Sequence, residues 1–224
     1  MDEFASSKGS RKTGRGRLNA LWLCGFAAWM TAAGAALGAI ANYSSKPGSA
    51  AMAPTSWPTA SQLVRTSGRG TLVMVAHTKC ACTRASIHEL ERVMARAGSR
   101  VDAFVVFVGP RDTGVLDLRE TARAIPGVRV VDDETEARLF AAATSGQVLL
   151  YDQAGALVFR GGITPSRGHE GSSAGGETVR RFVVSGSTAA ASAPTTFASE
   201  VFGCALFNRN DDAGAQVSGV GKEP

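Results

Sequence analysis

Cys80 and Cys82, two cysteines one residue apart, have the residue types and spacing best suited to chemistry in this sequence. They follow a short apolar run at 72–76, typical of a buried strand. They precede residues 84–97, whose apolar positions recur every three or four residues as in an amphipathic helix ended by Gly98. The N-terminus of a helix carries partial positive charge, which stabilises a thiolate and lowers the thiol pKa below about 8.5. We therefore expect reactive thiols at this strand-to-helix turn.

The chemistry expected of such a pair is thiol–disulfide exchange, in which a thiolate attacks a disulfide and a second thiol releases the mixed disulfide. We expect Cys80 to be the more exposed, attacking thiol and Cys82, further into the helix, to be the resolving thiol, although these roles could be reversed. A disulfide between them would close a small, strained ring that is easily reduced. In an alternative, one of the two pairs with Cys204 instead. Two buried, inert cysteines are the remaining interpretation.

Four further side chains are candidates to support the thiols. Lys79 and Arg84 add positive charge on either side of the motif, and His77 could lower a thiol pKa or ligate a metal. His169 lies in a Gly-rich loop that could approach the cysteines as a ligand or proton shuttle. His88, on the predicted helix, is expected at the surface.

Cys204 stands in a short apolar patch after a stretch rich in Ser, Ala and Thr, so a flexible arm could carry it back to the motif. There it would be a third redox thiol or a metal ligand. Cys80, Cys82, Cys204 and His169 together offer soft ligands that favour Cu(I) or Zn, as in a metallochaperone. Thiol exchange needs no organic or metal cofactor. A partner-binding domain with vestigial cysteines is a third possibility.

The charge distribution does not favour nucleic-acid binding. The chain has 224 residues and a net charge of +5, and residues 1–17 hold five basic and two acidic residues, so most of that charge comes from a short tail. Hydrophobic residues make up 44% and charged residues 19%, as in a globular protein. Four cysteines are too few for a disulfide scaffold.

Residues 18–41 carry no charge and are long enough to cross a hydrocarbon layer of about 30 Å as a transmembrane helix. The basic residues at 1–17 place the N-terminus in the cytoplasm by the positive-inside rule. We therefore expect a single-pass anchor in a bacterial inner membrane, with the main domain in the periplasm. A cleaved signal peptide is the alternative, because 39–41 and 51–53 have small residues at the spacing that a signal peptidase accepts.

The remaining segments differ in composition. Residues 42–69 are rich in Ser, Ala, Pro and Gly and are predicted to be a flexible linker. Residues 70–184 predict a folded domain with the element order β-α-β-α-β-α-β-β-α, and 185–224 a C-terminal tail that contains Cys204. Strands separated by helices pair in parallel and a hairpin adds antiparallel strands, so we predict a three-layer α/β/α domain with a mixed sheet.

Four stretches in order resemble the RedB-type bacterial thioredoxin-like proteins: 77–86 (HTKCACTRAS), 149–164, 166–171 and 202–206. The resemblance implies a thioredoxin-like fold for the domain and a membrane-tethered redox protein. Its partners would be protein thiols and disulfides in the periplasm.

One feature differs from thioredoxins, which place a cis-proline just before the hairpin strand, facing the active cysteine. The matching residues 144–147 contain no proline, and Gly146 stands there instead. Glycine adopts backbone angles that other residues rarely adopt. We therefore do not expect the usual docking of a substrate strand, and a metal could reach the sulfurs more easily.

Overall fold

The computed structural model describes residues 13–49, 52–78, 80–110, 117–185 and 196–207. The chain divides into two compact units, Met1–Tyr43 and Ser44–Pro224. The first unit contains most of helix α1 (Thr13–Ser45). Its part Asn19–Ser45 has the length and apolar composition of a membrane-crossing helix, and large apolar side chains such as Trp22 are mostly exposed along it. The predicted N-terminal apolar helix is confirmed, and it extends beyond residue 41.

The second unit is built on one mixed sheet. In chain order its elements are β1 (Gly70–His77), α2 (Ala81–Ala97), β2 (Val101–Val108), α3 (Leu118–Arg123), β3 (Val128–Asp132), α4 (Glu134–Leu139), β4 (Gln147–Tyr151), β5 (Leu157–Gly161), α5 (Ala174–Ser185) and β6 (Phe197–Ala198), with a 3-10 turn at Gly98–Arg100 after α2. The strand order in the described part is β3-β2-β1-β4-β5-β6. Strands β1, β2 and β3 are parallel, whereas β4 is antiparallel to both β1 and β5.

This connectivity is that of the thioredoxin fold, a β-α-β unit followed by a β-hairpin and a helix around a central strand. The helix-separated strands pair in parallel and the hairpin strands antiparallel, as the element order predicts. The α/β fold class is therefore confirmed.

The central strand β1 is buried on both faces, which explains its continuous apolar sequence. Alternate residues point to opposite sides of a strand, so Leu72 and Met74 join a cluster with residues of α2 and α5. Val73 and Val75 join a second cluster with residues of α4. The sheet is thus the middle of three layers, with the C-terminal end of β1 leading directly to the cysteines.

Helix α2 has the predicted amphipathic pattern. The apolar positions at spacings of three and four, which include Ile87, Leu90 and Val93, are buried. Gly98 ends the helix with φ +56, a conformation that glycine adopts most readily. The predicted end at Gly98 is therefore confirmed, whereas the helix begins at Ala81, before the amphipathic pattern starts.

The predicted flexible linker at 42–69 is wrong for its second half, which packs on the sheet. The Trp57 ring lies 5.1 Å from the Phe140 ring and 5.2 Å from the Tyr151 ring, with edge-to-face geometry. Leu63 is buried in the same cluster. This half of the predicted linker therefore covers part of the sheet face on the side of the short helix α4.

The predicted tail is also partly wrong, because residues 196–207, here named the Cys204 segment, belong to the fold. Its first residues form β6, which pairs in parallel with β5. Val201, Phe202 and Leu206 are buried. The apolar patch around Cys204 is therefore a docking surface onto the domain.

Candidate functional site

Cys80 lies at the strand-to-helix turn where the sequence predicted it. It is the N-cap residue of α2, with extended backbone angles, and Cys82 occupies the first turn of that helix. The Cys80 N–H donates to the His77 carbonyl over 3.2 Å, and the Cys80 carbonyl accepts from the Thr83 N–H over 3.0 Å. The turn thus places Cys80 beside the free N–H groups of the helix, where a thiolate is favoured.

The fold brings a third thiol to this turn. The sulfur of Cys204 lies 3.1 Å from the sulfur of Cys80, although the Cys204 residue as a whole is exposed. A disulfide bond is about 2.05 Å long, so the two thiols are in contact and not bonded. The sequence predicts that an arm could carry Cys204 back to the motif, and the Cys204 segment places Cys204 there.

The expected difference in exposure between Cys80 and Cys82 is wrong. Cys80 is 3% exposed and Cys82 is 7% exposed, so both are buried and Cys80 is not the more accessible thiol. The start of a helix alone favours an exposed Cys80, whereas the contact with Cys204 covers Cys80 in the folded domain. A partner that reaches the Cys80 sulfur has to displace Cys204 or enter beside it.

Hydrogen bonds make Cys80 the most acidic of the three thiols. The Cys82 thiol donates to the Cys80 sulfur and lowers the pKa of Cys80 to about 4. Burial acts in the opposite direction, and the Cys204 thiol and the backbone N–H groups of Cys204 and Cys82 add to the lowering. Hydrogen bonds to the charged form favour that form. Cys80 is therefore a thiolate at neutral pH.

The other two thiols keep their protons for the same reason. The pKa of Cys82 lies far above its ordinary value, first because its thiol donates to Cys80 and then because it is buried. Burial and the contact with Cys80 raise the pKa of Cys204 to about 11, and the positive charge of Arg167 acts against this rise. The three thiols therefore titrate as a coupled set, in which the first negative charge is favoured on Cys80.

A short antiparallel pairing holds the Cys204 segment beside the active turn. Thr144 and Ala205 form an isolated antiparallel bridge. The Ser145 N–H donates to the Cys204 carbonyl over 2.8 Å, and the Leu206 N–H donates to the Ala143 carbonyl over 3.0 Å. The segment thus lies like an added strand along the loop before β4.

Gly146 occupies the position where a thioredoxin has its cis-proline, and the described residues contain no cis peptide bond. Its φ is +88, and a Cβ there would lie 2.6 Å from the Ser86 hydroxyl on α2. Its N–H donates to the Val75 carbonyl over 2.8 Å. Glycine therefore allows this loop to approach α2 closely, and the predicted unusual backbone angle is confirmed.

A buried hydroxyl pair, which the sequence reasoning missed, connects this loop to the cysteine turn. The Ser145 hydroxyl accepts from the His77 N–H over 2.8 Å and lies 3.0 Å from the Thr83 hydroxyl. The Thr83 hydroxyl donates to the His77 carbonyl over 2.8 Å. The position of Thr83 next to Cys82 was the available signal, whereas the contribution of Ser145 depends on a long-range contact.

The predicted supporting residues near the motif lie in different places. The His77 ring lies against Gly109, where a Cβ would be 3.0 Å from its Nε2 atom. Arg84 is exposed on the first turn of α2. Lys79 lies outside the described residues.

The histidines further from the motif are engaged at the surface. His169 is exposed, and its Nδ1 donates to the Arg167 carbonyl over 2.8 Å. His88 Nδ1 lies 2.6 Å from a carboxylate oxygen of Glu170. Across the described ranges, no group of three or more His, Cys, Asp or Glu side chains is arranged to hold a metal ion.

No protein-family model matches the sequence. No curated protein matches it. Among solved structures, the chain is similar to an uncharacterized conserved protein from Geobacillus kaustophilus, with 20% identity, a TM-score of 0.48, and coverage of 73% of this chain and 90% of that one.

Two further solved structures with likeness to this chain are copper-bound ScoI from Bradyrhizobium japonicum and StoA from Bacillus subtilis. The ScoI structure has 16% identity and a TM-score of 0.35, with 52% of this chain and 86% of that one covered. The StoA structure has 10% identity and a TM-score of 0.39, with 62% of this chain and 98% of that one covered. At these TM-scores the thioredoxin fold is assigned from the strand order and connectivity, and the resemblance to RedB-type proteins stays a prediction.

Proposed function

We propose that this protein is a membrane-anchored thiol–disulfide oxidoreductase that acts on protein thiols and disulfides in the bacterial periplasm. The observation that carries the proposal is the 3.1 Å contact between the sulfurs of Cys80 and Cys204 at the N-terminus of α2. Together with Cys82 these thiols form a set in which one sulfur is charged and its neighbours are protonated. That is the state in which thiol exchange starts at neutral pH.

The exchange would run in two steps with Cys80 as the nucleophile. The Cys80 thiolate attacks a disulfide of a partner protein, so that a mixed disulfide forms and one partner sulfur leaves as a thiolate that takes up a proton. The Cys204 thiol then loses its proton and attacks the Cys80 sulfur, which releases the second partner thiol. The partner disulfide is reduced to two thiols, and Cys80 and Cys204 are oxidised to a disulfide. The reverse sequence oxidises a partner dithiol.

The geometry favours Cys204 over Cys82 as the resolving thiol. A disulfide between Cys80 and Cys82 would close a small ring at the start of a helix, where the backbone is fixed. Cys204 is already in contact with the Cys80 sulfur and comes from a separate segment. Cys82 then serves to stabilise the Cys80 thiolate as a hydrogen-bond donor.

Helix α1 supports the membrane anchor in this proposal. Its part Asn19–Ser45 is long and apolar enough to span a bilayer. Trp22, Phe26 and Trp29 on this helix are each more than half exposed, which is unfavourable in water and favourable in lipid. The basic residues at 1–17 orient the second unit toward the periplasm.

A copper or zinc site at Cys80, Cys82 and Cys204, with His169, is the second candidate. The thiol set suits a soft metal. The sulfurs of Cys80 and Cys204 are closer than two sulfurs on one tetrahedral zinc, which are roughly 3.8 Å apart for a Zn–S distance of about 2.3 Å. His169 is hydrogen-bonded within its own loop. Thiol exchange uses the arrangement as it stands and is therefore the first proposal.

Peptide mapping of the full-length chain in detergent micelles tests the proposal. The reduced protein is mixed with one equivalent of a peptide that contains a disulfide, and the product disulfides are located by mass spectrometry. We expect wild type to form a Cys80–Cys204 disulfide and Cys80→Ser to form none. Cys204→Ser should retain the mixed disulfide on Cys80 longer than wild type, because only Cys82 is left to resolve it. Cys24→Ser is the matched control and should behave as wild type. Exchange at the wild-type rate by Cys80→Ser would overturn the proposal.

The metal candidate is tested on the same preparation. Reduced protein is incubated with Cu(I) or Zn²⁺, dialysed and analysed by native mass spectrometry. A stoichiometric ion that is retained by wild type and lost in Cys80→Ser would favour the metal site.

A further inference from the structure

The loop at residues 166–171, here named the Arg167 loop, contacts the Cys204 segment through one side chain. The Arg167 guanidinium donates from Nη1 to the Gly203 carbonyl, directly before Cys204, and from Nε to the Lys46 carbonyl over 3.0 Å. The backbone N–H of Arg167 donates to the Ser44 carbonyl over 3.0 Å. One side chain thus joins the Cys204 segment to the stretch at the start of the second unit.

The same guanidinium acts electrostatically on Cys204. Its positive charge favours the Cys204 thiolate and opposes the rise of the Cys204 pKa caused by burial. This is the charge needed when Cys204 gives up its proton to attack Cys80. Arg167 therefore combines a hold on the backbone of the segment with stabilisation of the attacking sulfur.

The neighbouring residue of the loop contacts the other candidate resolving thiol. The Gly168 N–H donates to the sulfur of Cys82 and lowers its pKa. The loop is anchored to α2 by the buried carboxylate of Glu89, which accepts from the Gly171 N–H over 2.5 Å and pairs with Arg92. A single anchored loop thus contacts Cys82 and the residue directly before Cys204, and Cys82 and Cys204 are the two thiols that compete for Cys80.

We propose that Arg167 is a positioning residue that holds Cys204 against Cys80 and so selects Cys204, rather than Cys82, as the thiol that resolves the mixed disulfide. This inference rests on the proposed function. Without the guanidinium, the Gly203 carbonyl loses its donor. The first residues of the Cys204 segment remain paired with β5, whereas Cys204 itself is then held by the pairing with residues 143–145. Cys82 is fixed on the helix, so it then spends more time than Cys204 within reach of the Cys80 sulfur.

The experiment compares Arg167→Gln and Arg167→Lys in the full-length chain in detergent micelles. Arg65→Gln is the matched control, because Arg65 also donates to two backbone carbonyls, of Asp152 and Gln153. These lie next to Tyr151, which pairs with Thr71 at the far end of β1 from the cysteines. Each protein reacts with one equivalent of a peptide disulfide, and the Cys80–Cys204 and Cys80–Cys82 products are quantified.

In Arg167→Gln we expect the ratio of Cys80–Cys204 to Cys80–Cys82 product to fall on the order of tenfold, because small misplacements of reacting groups cost one to two orders of magnitude in rate. The first step, formation of the mixed disulfide on Cys80, should proceed as in wild type. An unchanged product ratio would overturn the inference, whereas a wild-type Cys80 that forms no mixed disulfide would overturn the proposed function instead.

A second readout separates this role from a merely structural one. In a Cys80→Ser background, the alkylation of Cys204 is followed against pH. Removal of the positive charge in Arg167→Gln should move the Cys204 profile to higher pH, whereas Arg167→Lys should retain much of the wild-type profile. The product ratio should recover less in Arg167→Lys, because an ammonium group lacks the planar fork that reaches two carbonyls. Identical Cys204 profiles in all three proteins would contradict the proposed role.

Discussion

The sulfurs of Cys80 and Cys204 lie 3.1 Å apart although 124 positions separate the two residues in the sequence. The contact depends on a strand-like pairing of the Cys204 segment with the loop before β4, where the Ser145 N–H donates to the Cys204 carbonyl. That pairing lies at the position where a thioredoxin has its cis-proline. The chain therefore covers its own reactive turn with a segment that carries a thiol.

The first prediction concerns the pH dependence of Cys80. Because the pKa of Cys80 is lowered from 9.0 to about 4, the thiolate is fully formed well below neutral pH. Its alkylation rate, measured with iodoacetamide and peptide mapping, should be constant from about pH 5.5 to 8, whereas an ordinary thiol gains roughly tenfold per unit over that range. A steady tenfold rise per unit would contradict the shared-charge arrangement.

Two variants of Cys82 test the origin of that low pKa. Cys82→Ala removes the donor that contributes most to the lowering, so the Cys80 profile should move upward. The expected movement is about 1–2 pH units, since a hydrogen bond to a charged group contributes about 1.5–3 kcal/mol and one unit corresponds to about 1.4 kcal/mol. Cys82→Ser is the control, because its hydroxyl can still donate. Equal profiles for the two variants would show that Cys82 does not set the acidity of Cys80.

The second prediction concerns Trp57, in the stretch that the composition predicted to be flexible. Its ring packs edge-on against Phe140 and Tyr151, so Trp57→Ala should lower the free energy of unfolding by about 2–3 kcal/mol, somewhat less than for a fully buried Trp. Val64→Ala, at a side chain that is 72% exposed, is the control and should change it by less than about 0.5 kcal/mol. Urea denaturation of the full chain in micelles measures the free energy of unfolding of both variants. Equal losses in the two variants would contradict the packing of residues 52–69 on the sheet.

The strands and the site differ in how far the sequence could predict them. Strands β1, β2 and β4 and the end of α2 at Gly98 follow from local patterns of apolar residues and glycine, so they were predicted closely. The packing of Trp57 and the return of Cys204 depend on contacts between residues far apart in the chain. Local composition does not carry that information. The relative burial of Cys80 and Cys82 was predicted wrongly for the same reason.

The third prediction uses Cys24, which lies on the apolar helix α1, to test the membrane anchor. If Asn19–Ser45 spans a bilayer, Cys24 should resist a membrane-impermeant maleimide in intact vesicles and react after detergent is added with denaturant. Met52→Cys, at a side chain that is exposed, is the control for accessible chain outside the membrane. Labelling of Cys24 without detergent, or loss of the chain from vesicles at high pH, would contradict anchoring.

The fourth prediction concerns Gly203, which allows the Cys204 segment to lie against the loop before β4. A Cβ at this position would stand 1.9 Å from the Ser145 carbonyl oxygen, a backbone atom that cannot move aside alone. Gly203→Ala should therefore displace the segment, expose Cys80 to alkylation and reduce the yield of the Cys80–Cys204 disulfide. Ala205→Ser is the matched control, because its side chain is exposed and its backbone pairing with Thr144 is retained. If Cys80 in Gly203→Ala reacts as slowly as in wild type while Cys204 still pairs with it, the segment does not control access to the thiolate.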